Sequence, residues 1–282
     1  MSIIKALYRI TIHPNNTNHK YIALLRVIWW RINQVTFKIP ALIQLTPETK
    51  CICYPDSSFG SLIVYEGWPE YAEMEYIYHN LGSDDVFVDV GSGIGEMSLI
   101  AASKITKGRI FAFEPTQQSR ERLYENVLLN NLVNTVRIFD QALSSKKGKS
   151  TFRITKISET NHISHTINNE QGNIEVRVTT LDHVIRKEKI SQIKILKIDV
   201  EGAEYDVLLG AKKALLGKKI AVIIVELNKN SRNYGHSNTK TLDLLNSCGY
   251  KTYILKEGGK LSKIPLGDIN SRILNIVAIL PK

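Results

Sequence analysis

Asp89, Gly91, Gly93 and Gly95 stand at two-residue intervals at the end of an apolar run, Val86-Phe87-Val88-Asp89-Val90. Beyond them Met97, Ile100, Ala101 and Ile105 recur at helix spacing. A buried strand, a glycine turn and a helix, in that order, form the entry to a nucleotide site in an open parallel sheet. Glycines let a ligand approach the backbone, and a helix N-terminus offers free N–H groups. A dinucleotide fingerprint would need Gly or Ala three residues after Gly93, and Glu96 stands there. The turn has instead an acid two residues before its first glycine, a position suited to a cation such as the ammonium of a bound amino acid. The next apolar run, Arg109 to Phe113, ends in Glu114 one βαβ step later. A carboxylate there can accept from both hydroxyls of a ribose. S-adenosylmethionine, a nucleoside that carries an amino acid and no phosphate, meets both requirements. The bland alternative is a strand–turn–helix that binds nothing.

Further candidates lie at later strand ends. Thr135 to Phe139 leads into Asp140-Gln141-Ala142. A fourth strand, Ile193 to Ile198, runs into Asp199-Val200-Glu201-Gly202-Ala203-Glu204, and a fifth, Ala221 to Val225, into Glu226-Leu227-Asn228. Adjacent strands four and five bring Asp199 and Glu226 to one edge. Glu204 suits a helix N-terminus. His162 and His165 fall in a polar loop between two alternating segments, Ser150–Ile154 and Ile174–Val178.

Four stretches resemble the FkbM-type methyltransferases, within the class I S-adenosylmethionine-dependent superfamily. They are Tyr65-Glu66 to Val90, Gly91 to Leu99, Gln141-Ala142-Leu143-Ser144, and Thr180-Leu181-Asp182 through Lys197-Ile198-Asp199-Val200-Glu201-Gly202-Ala203-Glu204. One departure is visible. The family usually reads Gly-Ala-Asn-x-Gly in the turn, and this chain has Gly-Ser-Gly-Ile-Gly, which keeps the backbone role but not the asparagine side chain. The resemblance implies that Asp89, Gly91, Ser92, Gly93, Gly95, Glu96, Ser98, Glu114 and Asp199 hold S-adenosylmethionine. It also implies that Asp140, Gln141 and Ala142 meet the adenine, and that Tyr65, Glu66 and Glu75 line the site. The acceptor it implies is a hydroxyl of a saccharide, a glycan or glycolipid precursor, or a related secondary metabolite.

Methyl transfer from a sulfonium needs an aligned acceptor and a way to remove its proton. In one mechanism Asp199, Glu201 or a loop histidine, His165 or His162, takes the proton. In the other, Asp199, Glu226 and Asn228 hold magnesium or manganese, an oxygen-donor set suited to a hard cation. The metal-free route is preferred, because Glu226 and Asn228 match the metal-dependent pattern only loosely. Two other functions compete: a nucleic-acid methyltransferase and a non-catalytic S-adenosylmethionine-binding module. The first fits the charge but lacks the Asn/Asp-Pro-Pro-aromatic motif after strand four. The intact acids Asp89, Glu114 and Asp199 oppose the second.

The elements that position these residues predict an α/β fold. It is a doubly wound, Rossmann-like seven-stranded sheet, mostly parallel with an antiparallel final strand. Residues 61–282 form the catalytic domain and residues 1–60 a partly helical, partly extended extension. With 282 residues and 43% hydrophobic content, the chain supports one sizeable core. Lys+Arg 37 against Asp+Glu 27 gives a formal charge of +10, which favours anionic partners. Three cysteines and no secretory signal suggest reduced thiols in the cytoplasm. Tyr21 to Ile32, a predicted helix with paired tryptophans and scattered cations, suggests peripheral membrane contact; packing on the catalytic domain is the alternative.

Overall fold

A computed structural model describes residues 3–153, 162–164, 173–264, 269 and 274–281. The chain opens with two helices, α1 (Ile3–Ile12) and α2 (Lys20–Val35). A hairpin follows, β1 (Ala41–Gln44) with β2 (Lys50–Cys53), and then helices α3 (Ser58–Glu66) and α4 (Tyr71–Asn80). The boundary expected at residue 60 falls inside α3. Ser57 caps that helix by accepting from the Gly60 N–H at 2.8 Å.

The central unit then runs β3 (Val86–Val90), α5 (Glu96–Ala102), β4 (Arg109–Phe113), α6 (Gln117–Leu129) and β5 (Val136–Phe139). A side sheet comes next, from β6 (Ala142–Leu143), β7 (Gly148–Arg153), β8 (His162–Ser164) and β9 (Asn173–Thr179). The chain returns through α7 (Leu181–Lys187), β10 (Ile193–Ile198), α8 (Glu204–Leu209), α9 (Lys212–Leu216), β11 (Ile220–Leu227) and α10 (Asn238–Ser247). It closes with β12 (Lys251–Lys256), β13 (Lys260–Ser262) and β14 (Leu274–Ile279).

The main sheet has the order β13-β12-β14-β11-β10-β3-β4-β5. β5, β4, β3, β10 and β11 are parallel to one another, and β14 runs antiparallel to both β11 and β12. The seven expected strands are present, and the three-residue β13 adds an eighth at the edge. Alternation along each strand sorts side chains onto two faces. Phe87, Ile110, Ile195 and Ile224 pack with α3 to α6, while Val88, Phe111, Leu196 and Ile223 pack with α7 to α10.

Strand order reverses between β3 and β10, so the crevice beyond their carboxyl ends is the topological switch point. The two ends approach very closely there. Gly91 has a φ of +82°, and a Cβ on it would lie 1.8 Å from the Asp199 carbonyl oxygen. Gly95, at φ +96°, would place a Cβ 2.3 Å from Leu123 Cδ1. Hence the glycine turn is required by packing before any ligand arrives. Gly91→Ala should destabilise the fold by about 2 kcal/mol or more, because the new Cβ would overlap the Asp199 backbone at a positive φ. Urea unfolding monitored by circular dichroism measures it.

Candidate active site

The switch point holds a buried cation. Lys197 is the last-but-one residue of β10, in register with Asp89 of β3. Its side chain is 3% exposed. Its Nζ lies 3.1 Å from Asp199 Oδ2 and 4.0 Å from Glu70 Oε2. Burial lowers its pKa, but the carboxylates of Asp199, Glu70, Asp89 and Glu73 outweigh that and hold it well above the usual lysine range. Glu70 is the residue before α4, and Glu73 lies in that helix's first turn. Glu73 is pushed well above the usual carboxylate range by burial, then by the Glu70 charge. Glu70 is raised by burial, with Lys197 opposing.

Asp89 is fully buried at the end of β3. One oxygen accepts from Ser98 Oγ at 2.6 Å. The other, Oδ1, is buried without a hydrogen-bond partner, as are Glu70 Oε2 and Glu96 Oε2. Buried acceptors are rarely left so, and a group of three at a strand crevice invites a donor-rich, cationic ligand. Burial raises Asp89, with Lys197 and Ser98 opposing, and raises Glu96 much further.

Glu114 ties the turn to the next strand. Its Oε2 accepts from the Gly93 N–H at 3.0 Å, and its Oε1 accepts from the Thr116 N–H at 2.8 Å and from the Thr116 hydroxyl. Thr116 occupies the N-cap position of α6 but spends its hydroxyl on Glu114 and not on the helix. A carboxylate has about four acceptor sites and three are taken, so Glu114 keeps one, on Oε2, enough for one ribose hydroxyl and not for the expected two. Ser92 turns inward and donates to the Asp89 carbonyl at 2.9 Å, a bond internal to the turn. The backbone N–H groups of Gly91 and Ser92 both donate to the Phe113 carbonyl.

On the other side of the crevice, Asp199 follows β10 and Glu226 lies near the end of β11. One carboxylate oxygen from each, with one from Glu70, lie within 4.8 Å of one another. Glu226 is raised to about 7 by burial and then by the Asp199 charge. Glu201 sits at φ 54°, and its Oε2 accepts from Asn228 Nδ2 at 3.2 Å and Asn230 Nδ2 at 3.0 Å. Glu204, the first residue of α8, accepts from the Gly202 N–H at 2.8 Å, so it braces the turn before the helix and does not cap the helix's own N–H groups; burial lifts it to about 8.

Several expected placements change. A trio of oxygen donors does form, but with Glu70 in place of Asn228. The amide of Asn228 is committed to Glu201 and Glu226, and its carbonyl oxygen accepts from the Asn230 N–H. Glu66 does not reach the crevice, because Arg9 of α1 holds it at 3.0 Å. Glu75 accepts from the Gly258 N–H at 2.6 Å, at the β12–β13 connection. Asp140 is exposed and paired with Arg177, whereas Gln141 is partly covered and Ala142 buried. His165 lies outside the described residues, and of His162 only the backbone, in β8, is described.

Glu70, Glu73 and Lys197 were missed by motif reading. The signal was Lys197 itself, a cation among the apolar residues of a buried strand, which must find carboxylates.

An open, mostly parallel α/β sheet with an acid-and-glycine turn at its switch point defines a protein of the Rossmann-like class. Residues 89–252 match the methyltransferase FkbM domain, and the chain belongs to that family. The hexuronic acid methyltransferase AglP of Haloferax volcanii is 32% identical over 145 residues, 51% of this chain and 56% of that protein. The 2-O-methyltransferase NoeI of Sinorhizobium fredii is 26% identical over 147 residues, 47% of this chain and 59% of that protein. The chain thus spans little more than half the length of either relative. Among solved structures, a precorrin-6y C5,15-methyltransferase from Geobacter metallireducens aligns with a TM-score of 0.44 and 14% identity, over 78% of this chain and 91% of that one.

Removing the cation should be costly. Lys197→Met would leave Asp199 and Glu70 facing each other unpaired, and should destabilise the protein by about 3–5 kcal/mol at neutral pH. Thermal unfolding checks it, and the loss should shrink as the pH falls and the carboxylates protonate.

Proposed function

We propose that this protein is an S-adenosylmethionine-dependent O-methyltransferase whose acceptor is a hydroxyl of a saccharide or a related metabolite. The observation that carries the reading is a carboxylate-lined crevice in a chain of net charge +10, with Asp89 Oδ1 buried and unpartnered. A cationic cofactor fits that crevice. Asp89 and Glu96 would hold the amino-acid end, Glu114 the ribose, and the 91–95 turn would lie against the backbone of the ligand. Gln141 and Ala142 would border the adenine. When bound, S-adenosylmethionine supplies a methyl group on a positively charged sulfur, open to in-line displacement.

The chain's own residues then have two tasks: to align the acceptor and to take its proton. Asp199 and Glu226 face the same space, and Glu226 near 7 is matched to general-base work at neutral pH. Lys197 fixes Asp199 in place. Glu201, held by two asparagines, orients the wall beside them. The same trio of carboxylates has oxygen donors for a divalent cation, but Lys197 already supplies positive charge at that point, which supports the metal-free route. The sugar acceptor is supported by the hexuronic acid that the Haloferax relative methylates, and oxygen as the methylated atom by the 2-O-methyltransferase of Sinorhizobium. A nucleic-acid acceptor is disfavoured, because its phosphates would have to approach Glu70, Asp199, Glu201 and Glu226.

The test is transfer of labelled methyl from S-adenosylmethionine to saccharide acceptors and to RNA, each with and without chelator. Label should enter saccharide, survive the chelator, and be absent from RNA. Calorimetry should show Asp89→Asn binding the cofactor about tenfold to a hundredfold more weakly, the loss of one charge-assisted hydrogen bond. Unchanged affinity would remove Asp89 from the ligand. Label in RNA alone would overturn the acceptor assignment.

A general base must be ionised, so kcat/KM for the acceptor should rise with pH through about 7 and then level, following Glu226. Glu226→Gln should lower the rate by about 10²-fold or more and abolish that limb. A limb that persists in the variant would place the base elsewhere.

A further inference from the structure

Most of the large apolar side chains left exposed among the described residues lie between Tyr8 and Leu42. α2 shows why they do not belong to the core. Ala23 and Trp30 are fully buried and fasten the helix to the domain, with Trp30 Nε1 donating to Ser61 Oγ of α3 at 2.9 Å. On the opposite side, Tyr21, Leu25, Ile28, Trp29, Ile32 and Val35 are all exposed, Leu25 by 65% and Val35 by 78%. At 3.6 residues per turn these six fall within an arc of about 120°. The helix is therefore apolar on the side that faces solvent as well as on the side that faces the protein. A surface that large, continuous and apolar marks a docking face.

Charge says what covers it. Residues 1–47 contain Lys5, Arg9, Lys20, Arg26, Arg31 and Lys38 and no Asp or Glu. Arg9 is paired with Glu66, and Arg26 donates to Asn16 Oδ1 at 2.6 Å. Lys20 and Arg31 remain exposed along one edge of the apolar arc, and Lys38 is exposed just beyond the helix. A second copy of the chain would bring the same cations against each other with no acid in the segment to pair them. An anionic bilayer meets both the apolar arc and its cationic edge, and Tyr21 and Trp29 are side chains suited to the headgroup level. No helix among the described residues is long and apolar enough to cross a membrane.

We infer that α2 docks the protein, in the plane of the interface, on a membrane surface rich in anionic lipid. The inference does not depend on the methyl acceptor, since it concerns a face remote in sequence from the crevice residues and needs no catalysis to be read. The experiment is flotation of the full chain with vesicles of phosphatidylcholine, with and without phosphatidylglycerol, at low and high salt. The protein should float with the phosphatidylglycerol vesicles, with partition at least about tenfold higher than on phosphatidylcholine alone, and salt should weaken it. The double variant Leu25→Glu, Trp29→Glu should lose flotation while keeping wild-type thermal unfolding and cofactor affinity. Absence of flotation with either vesicle would overturn the proposal. So would equal partition onto both vesicles, which would leave the cationic edge without a part. A dimer seen by light scattering and dissolved by the same variant, without vesicle binding, would make the face a self-association seam instead.

Discussion

A lysine ammonium buried in the middle of a parallel sheet is the constraint on which the rest depends. Lys197 cannot sit between Leu196 and Ile198 unless carboxylates neutralise it, and no single strand supplies enough of them. Asp199 comes from its own strand end, Asp89 from the neighbouring strand, Glu73 from the first turn of α4 and Glu70 from the residue before it. The ion cluster therefore ties α4 to β3 and β10 at the point where strand order reverses. That is also where an open sheet leaves a crevice. Structure and the proposed chemistry would share the same charges: one cation is balanced by several acids, and the remaining acid suits the cationic cofactor proposed above.

Close packing imposes the second condition. The glycine turn is commonly read as an opening for a ligand, yet at Gly91 the atom excluded is the Asp199 carbonyl oxygen. The turn brings the ends of β3 and β10 together, and so brings Asp89 and Asp199 to opposite sides of one narrow space. Ser92, which replaces the family's usual alanine, makes an inward bond to the Asp89 carbonyl. Gly93, at the position of the usual asparagine, contributes a backbone N–H to Glu114 instead of a side chain. The change of side chains leaves the hydrogen-bond frame of the turn intact.

Much of this was legible from the chain. Apolar runs ending in Asp89, Glu114, Asp199 and Glu226 mark the strands and the edge where their acids gather, because a charge within a buried strand must be neutralised and one near its end is the easier to accommodate. The paired strands at the close of the chain foretold the antiparallel edge. What could not be read depends on contacts between segments far apart in sequence. Glu66 and Glu70 look alike in one segment, but Arg9 draws the first away while Lys197 holds the second in the crevice. Asn228 sits beside two acids like a ligand, and the structure uses it as a hydrogen-bonded brace. The extended part expected in the first 60 residues is the hairpin Ala41–Gln44 with Lys50–Cys53, though its pairing could not be read from the chain.

The separation of charge along the chain completes the argument. A net charge of +10 would ordinarily point to a polyanionic substrate, but the charge is not spread evenly. Carboxylates gather at the crevice, and the first 47 residues hold six cations and no acid. An acidic crevice favours a cationic cofactor and repels phosphate. A basic, apolar helix favours an anionic interface and has no use for a cation. The two preferences are opposed, so neither region can substitute for the other. They are joined through α3, which receives Trp30 on one side and leads directly to Glu70.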